Sequence, residues 1–262
     1  MGLLTVAKWV AGVSVLISTI IPLLLSHAIG GWTKEYTSSA GFATNQIGDQ
    51  TGVNAIVTGA NTGIGLETAR ELARAGATVF MGCRSPGKCA AAAANVKASV
   101  PGAKVVTMAL DLSSFKSIEG FASKFNAKNL PLHTLVLNAG VMKSPGEAFI
   151  GQSFTYGFDT TEEGFELHVG VNHIGHFRLT QLLMGALQAP EAARVVSVSS
   201  AAEQGASPEG IRFESWAPKG GEMPLDYEDG VAYGQSKLAN VLFAKELVTL
   251  HLSVSARLLR PR

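Results

Sequence analysis

The sequence predicts an α/β fold, a single doubly wound parallel sheet covered by helices on both faces. Two observations carry this. From residue 53 to about 250, short β-type runs alternate with helical patterns. The first run, Val53 to Val57, breaks into Gly59, Ala60, Asn61, Thr62, Gly63, Ile64 and Gly65, and a helical pattern begins at once. Strands that alternate with helices of this length pair in parallel, because each crossover helix must pack back onto the sheet.

The elements follow in order. Residues 53–58 read as strand one and 63–75 as a helix stopped by Gly76. Residues 77–82 are strand two, and 88–99 an alanine-rich helix. Strand three spans 104–110 and is followed by a helix over 113–126. Strand four spans 134–138, a long helix 162–187, strand five 193–199 and a further helix 233–250. Residues 254–259 have the pattern of a sixth strand.

At 262 residues the chain suits one large domain or two small ones. A net charge of +1 and the absence of any Lys/Arg-rich run exclude a nucleic-acid-binding surface. The two cysteines, Cys83 and Cys89, sit close together near the end of strand two. No structural disulfide is expected between them, and this usage fits a reducing compartment.

Residues 9–33 contain no Asp, Glu, Lys or Arg. As a helix this stretch would be about 37 Å long, enough for a hydrocarbon core of about 30 Å. Trp9 and Trp32 stand near its ends, where interfacial aromatics belong. Residues 1–33 are therefore expected to form an N-terminal transmembrane anchor. A cleaved signal peptide is the competing reading, but Ser26-His27-Ala28 makes a poor cleavage site. The polar residues 34–52 read as a linker, and 53–262 as the folded domain.

The glycine turn between strand and helix is the recipe for a dinucleotide pyrophosphate site. Glycines let backbone approach phosphate, and the helix N-terminus supplies free N–H groups and a positive dipole end. Three more strand ends fall where such a sheet places ligand contacts. Strand two ends at Arg84 with no acid to hold a ribose 2′-hydroxyl, so Arg84, helped by Lys88, can meet a 2′-phosphate. Strand three ends in Asp111-Leu112 and strand four in Asn138-Ala139-Gly140. Tyr233 and Lys237, four apart, share one helical face. A cation beside a phenol lowers its pKa from about 10 and makes it an acid/base near neutral pH. Such a pair alone is commonplace. Ser199-Ser200 ends strand five, and Asn172 sits mid-helix without a propensity advantage.

Together these motifs resemble the short-chain dehydrogenase/reductase family, and within it the membrane-anchored retinol-dehydrogenase-like enzymes. The resemblance rests on residues 58–65, Cys83-Arg84, Asp111-Leu112, 138–140, 163–166, 171–177, 196–200 and the Tyr233/Lys237 pair, in the family's order and spacing. It implies a Rossmann-type fold and an NADP(H)-dependent oxidoreductase acting on an apolar carbonyl or alcohol such as a retinoid, steroid or lipid aldehyde. It further implies a place in the endoplasmic reticulum membrane. Tyr233 would be the general acid/base and Lys237 the binder of the nicotinamide ribose. Ser200 would hydrogen-bond the substrate oxygen, and Asn172 would hold a water that links Lys237 to solvent. Gly59, Asn61, Thr62, Gly63, Ile64, Gly65, Arg84, Asp111, Leu112, Asn138, Ala139 and Gly140 would contact the cofactor.

His168, Asn172 and His176 share a helical face beside His173, but no cysteine or acid completes a zinc set, so no metal is expected. Residues 201–230 read as a long loop over the substrate cleft. The family continues past the Tyr-Lys helix into further elements that cover the nicotinamide, so a chain ending at Arg262 reads as C-terminally truncated. A catalytically inactive nucleotide- or partner-binding form is one alternative to the enzyme reading. A protochlorophyllide-reductase-like enzyme is another, disfavoured by the apolar N-terminus.

Overall fold

The computed structural model of the protein describes residues 44–142, 158–217, 226–250 and 254–259. The expected anchor over 1–33 lies outside the described residues, as does the linker up to residue 43. Among the described residues no helix is long and apolar enough to cross a membrane. The chain divides into two units, 1–47 and 48–262. The first contributes one described 3-10 turn, Thr44–Gln46, and the second holds the sheet.

The predicted alternation is the observed one. Strand β1 (Asn54–Thr58) leads to helix α1 (Gly63–Arg74), β2 (Thr78–Cys83) to α2 (Pro86–Ser99), and β3 (Lys104–Ala109) to α3 (Phe115–Asn126). Strand β4 (Thr134–Leu137) precedes α4 (Gly175–Gln188), and β5 (Ala193–Val198) precedes α5 (Asp229–Leu250), which leads to β6 (Val254–Leu259). All six strands pair in parallel in the order β3-β2-β1-β4-β5-β6. The order reverses direction at β1, and in such sheets ligands bind beyond the strand C-termini at that point.

Alternate side chains of each strand point to opposite faces, so two cores form. On one face Ile56, Phe80 and Leu135 pack with Phe121 and Phe125 of α3 and Leu179, Leu183 and Leu187 of α4. On the other, Val57, Val79 and Met81 meet Ala69 and Ala73 of α1 and Ala92, Ala93 and Val96 of α2. The alanines explain the low polarity of the 88–99 segment. Small side chains let α2 lie close on the sheet.

Two expectations need correction. The helix predicted over 162–187 does not start at 162. Gly164, at φ 83°, turns the chain, and the Glu166 carboxylate caps the first turn by accepting the Val169 N–H at 3.0 Å. One α-turn (Leu167–Val169) then passes through a π-helical turn (Gly170–Ile174) into α4. Such π turns occur often at functional sites. Second, Cys83 and Cys89 are disulfide-bonded, with their Cα atoms 5.8 Å apart. The sequence expectation failed because Ser85 caps α2 and Pro86 starts it, so the chain turns back and sets Cys89 over the end of β2.

Candidate active site

The C-terminal ends of β1 to β4 surround a cleft of about 280 Å³. Gly59, Asn61, Thr62, Arg84, Asp111, Leu112, Asn138, Ala139 and Gly140, all predicted contacts, line it. Gly82, Leu110, Val141 and Val171 also line it, with no chemical group that the sequence could have marked. Gly63, Ile64 and Gly65 form the first turn of α1 beside the cleft. That turn has no side-chain cap, which leaves its N–H groups and dipole end to an anion. The glycines are required here. Gly59 has φ 65°, and a Cβ on Gly65 would lie 2.5 Å from the Gly59 carbonyl oxygen and 2.4 Å from Asn138 Nδ2.

Arg84 stands exposed at the rim immediately after β2, next to the disulfide. Asp111 is committed to its own turn, where Oδ1 accepts the Ser113 N–H at 2.9 Å and the Ser113 hydroxyl at 2.6 Å. At the end of β4, Asn138 donates from Nδ2 to the Thr58 carbonyl at 2.9 Å, which fixes its side chain against the glycine turn. These groups fit a dinucleotide: a glycine cradle that a Cβ would fill, an uncapped helix N-terminus and a cation at the rim.

Gly140 joins this cleft to the second half of the site. A Cβ there would meet Asn172 Oδ1 at 3.2 Å and Lys237 Nζ at 3.4 Å. Lys237 is buried, donates to the Val198 carbonyl at 3.3 Å and sits 5.5 Å from the centre of the Tyr233 ring. Burial pushes its pKa down to about 8. Asn172 lies in the π turn with its amide fully used. Oδ1 accepts the Val141 N–H at 2.8 Å, and Nδ2 donates to the Val141 carbonyl at 3.1 Å and to Ser236 Oγ at 3.0 Å. The Ser236 hydroxyl in turn donates to the Tyr233 carbonyl at 2.7 Å.

The two serines divide their work. Buried Ser199 donates to the Lys237 carbonyl at 2.7 Å and so holds α5 against β5. Half-buried Ser200 accepts the Ala202 N–H at 3.2 Å as the cap of a 3-10 turn (Ala201–Gly205). Segment 201–230 thus carries short turns of its own, with 218–225 outside the described residues.

A buried polar cluster behind Tyr233 was not legible in the sequence. His168 Nδ1 is 2.7 Å from Glu166 Oε1 and its Nε2 is 3.5 Å from Asp229 Oδ1. The Tyr227 hydroxyl donates to Glu166 Oε1 at 3.0 Å. Burial raises the Glu166 pKa, yet the hydrogen bond and charge of His168 and the Val169 N–H outweigh it, and the net shift is downward. Tyr227 is pushed strongly up by burial and then by the Glu166 charge. The His168 ring meets the Tyr233 ring edge-on at 6.1 Å. His173 Nδ1 lies 3.2 Å from Asn240 Oδ1.

The sequence profile of the short chain dehydrogenase family matches residues 53–215. The chain belongs to this family. Within it the sequence is retinol-dehydrogenase-like. It is 45% identical over 192 residues to bovine retinol dehydrogenase 12, covering 73% of this chain and 54% of that protein. It is 40% identical over 232 residues to human retinol dehydrogenase 11, covering 88% of this chain and 66% of that protein. The chain therefore spans between half and two thirds of the length of these relatives. Among solved structures, an uncharacterized Mycobacterium paratuberculosis protein superposes with a TM-score of 0.68 at 34% identity, covering 85% of this chain and 72% of that one. A metagenomic short-chain oxidoreductase in complex with NADP gives 0.58 at 25% identity, covering 80% and 82%.

Proposed function

We propose that the chain is an NADP(H)-dependent oxidoreductase that interconverts an alcohol and a carbonyl on an apolar substrate of the retinoid, steroid or lipid-aldehyde kind. The observation that carries this reading is the contact at Gly140, where a phosphate-type cleft meets the Tyr233/Lys237 pair. The glycine turn and the N-terminus of α1 would hold the pyrophosphate, Arg84 the 2′-phosphate, Asp111-Leu112 the adenine side and Asn138 to Gly140 the ribose. The bound nicotinamide supplies or accepts the hydride.

The remaining chemistry belongs to the chain. Tyr233 gives its phenolic proton to the substrate oxygen in reduction and takes it back in oxidation. Lys237 holds the nicotinamide ribose, with its ammonium 5.5 Å from the centre of the Tyr233 ring. Ser200 donates its hydroxyl proton to the substrate oxygen while its own oxygen accepts from Ala202. Asn172 orders the site by fastening Val141 to α5, and in this reading the same turn carries the water that refills the Tyr233 proton. The relatives' names support a retinoid-like substrate, and the apolar stretch 9–33 supports attachment to a membrane, which this reading takes to be that of the endoplasmic reticulum. Residues 1–33, 34–52 and 53–262 then divide into anchor, linker and catalytic domain. Purified full chain with NADPH and a panel of apolar aldehydes and ketones tests this. Carbonyl-dependent NADPH oxidation is expected, and NADPH binding without turnover would leave a nucleotide-binding protein instead.

A further inference from the structure

The hydroxyl of Thr58, at the end of β1, is buried among three groups. It lies 2.9 Å from the Asn138 N–H, 2.9 Å from the Ala139 N–H and 2.8 Å from His176 Nε2. The two backbone groups can only donate, so they use both lone pairs of Thr58 Oγ1. The single Thr58 proton then goes to His176 Nε2, the Val136 carbonyl being a longer alternative at 3.4 Å. On the other side of the ring, His176 Nδ1 is 2.9 Å from the Asn172 carbonyl, which can only accept. One tautomer alone satisfies every group: hydrogen on Nδ1 and a lone pair on Nε2.

We propose that His176 is a positioning residue for the oxidoreductase site, an imidazole in the Nδ1–H tautomer that pins the π turn carrying Asn172 to the ends of β1 and β4. The ring is the buried junction of both halves of the site. Through Thr58 it reaches the backbone of Asn138 and Ala139, which wall the cofactor cleft. Through Asn172 it reaches Val141 and Ser236, and through Ser236 the Tyr233 carbonyl. Phenylalanine would fill the same volume but remove the ring N–H from the Asn172 carbonyl and the acceptor of the Thr58 proton, leaving that proton only the longer contact to the Val136 carbonyl. Burial works in the same direction, since it lowers the pKa of the ring to about 4 and keeps the Nε2 lone pair available at neutral pH.

The functional half of this proposal rests on the reading of the site as an NADP(H) oxidoreductase; the tautomer does not. Both are tested on the full chain. Nitrogen NMR of the imidazoles in the wild-type protein is expected to give an Nδ1–H ring for His176 that stays neutral from about pH 5.5 to 8. An Nε2–H ring, or one that titrates in that range, overturns the pin. NADPH titration and steady-state kinetics of His176→Phe and Thr58→Val are expected to show Kd raised and kcat lowered, each by about tenfold or more, the scale of leaving a buried hydrogen-bonding group unpaired. The double variant is expected to lose less than the two single variants added together, because both break the Thr58–His176 link. A folded His176→Phe protein with Kd and kcat within about twofold of wild type, or additive losses, overturns the positioning role. Wild-type chain without NADPH affinity would remove the oxidoreductase reading, and the NMR result would still decide the pin.

Discussion

Lys237 follows Tyr233 by one helical turn and sets its buried ammonium 5.5 Å from the centre of the Tyr233 ring. This placement costs stability. With a folded pKa near 8 against an ordinary 10.5, the native chain holds fewer protons than the unfolded one between those values, so stability rises as pH climbs through that window. Below it, the buried charge penalises the fold by up to about 3 kcal/mol. Lys237→Met is therefore expected to raise the melting temperature at pH 7 while lowering kcat by about 10²-fold or more. Calorimetry beside a turnover assay checks this, and a melting temperature that falls with activity contradicts it.

Arg84 is the cation at the rim of the cleft where an acid would suit an unphosphorylated ribose. Arg84→Ala is expected to weaken NADPH binding by about tenfold or more, the size of a charge-assisted phosphate contact, and to leave NADH within about twofold. Fluorescence titration with both cofactors reads it directly. Equal losses would remove the reason to prefer NADP.

Gly65 is held against the Gly59 carbonyl, where an added Cβ would lie 2.5 Å away. Backbone on a packed strand end cannot give by that much. Gly65→Ala is expected to destabilise the domain by about 1–3 kcal/mol and to weaken NADPH at the same time. An unchanged melting temperature and affinity would show that the turn is looser than its geometry.

His176, wholly buried, has its pKa lowered to about 4, whereas an unfolded histidine titrates near 6.5. Between those values the unfolded chain binds the extra proton, so stability must fall as pH drops from 6.5 towards 4. The contribution is on the order of 3 kcal/mol for His176. Part-exposed His173 adds a smaller share in the same direction. Denaturant midpoints measured from pH 7 to 4.5 should decline, and the decline should shrink in His176→Phe.

The sheet was legible because its signals are local. Short apolar runs, Gly76 after α1 and the 59–65 turn mark the elements without tertiary help, and Val254–Leu259 pairs with β5 as its pattern suggested. The tight turn from β2 into α2 was not, because closing Cys83 on Cys89 depends on the cap at Ser85 and Pro86 that brings α2 back over β2. The start of the 162–187 segment failed for a similar reason. Apolar periodicity runs through Phe165 and Leu167, while the Gly164 turn and the Glu166 cap let helical structure begin only at Leu167.

At the site, residue types whose chemistry is fixed by position on one element could be read ahead. Tyr233 and Lys237 lie on one helix, and the glycines on one turn. Partners that meet across the fold could not. Thr58 and His176 are 118 residues apart, and Tyr227 and Glu166 are 61 apart, so neither contact leaves a spacing in the sequence. The amide of Asn172 was likewise readable as a site residue but not as the clamp on Val141.

In the proposed function Tyr233, at the end of a dinucleotide cleft, carries the proton of a hydride-transfer reaction. Its most direct test is carbonyl-dependent NADPH oxidation by wild-type and Tyr233→Phe chains, with NADPH affinity measured on both. Loss of a general acid predicts a drop in kcat of about 10²–10⁴-fold with affinity retained within a few-fold. Equal turnover by the two proteins, or none by wild-type chain that binds NADPH, would contradict it.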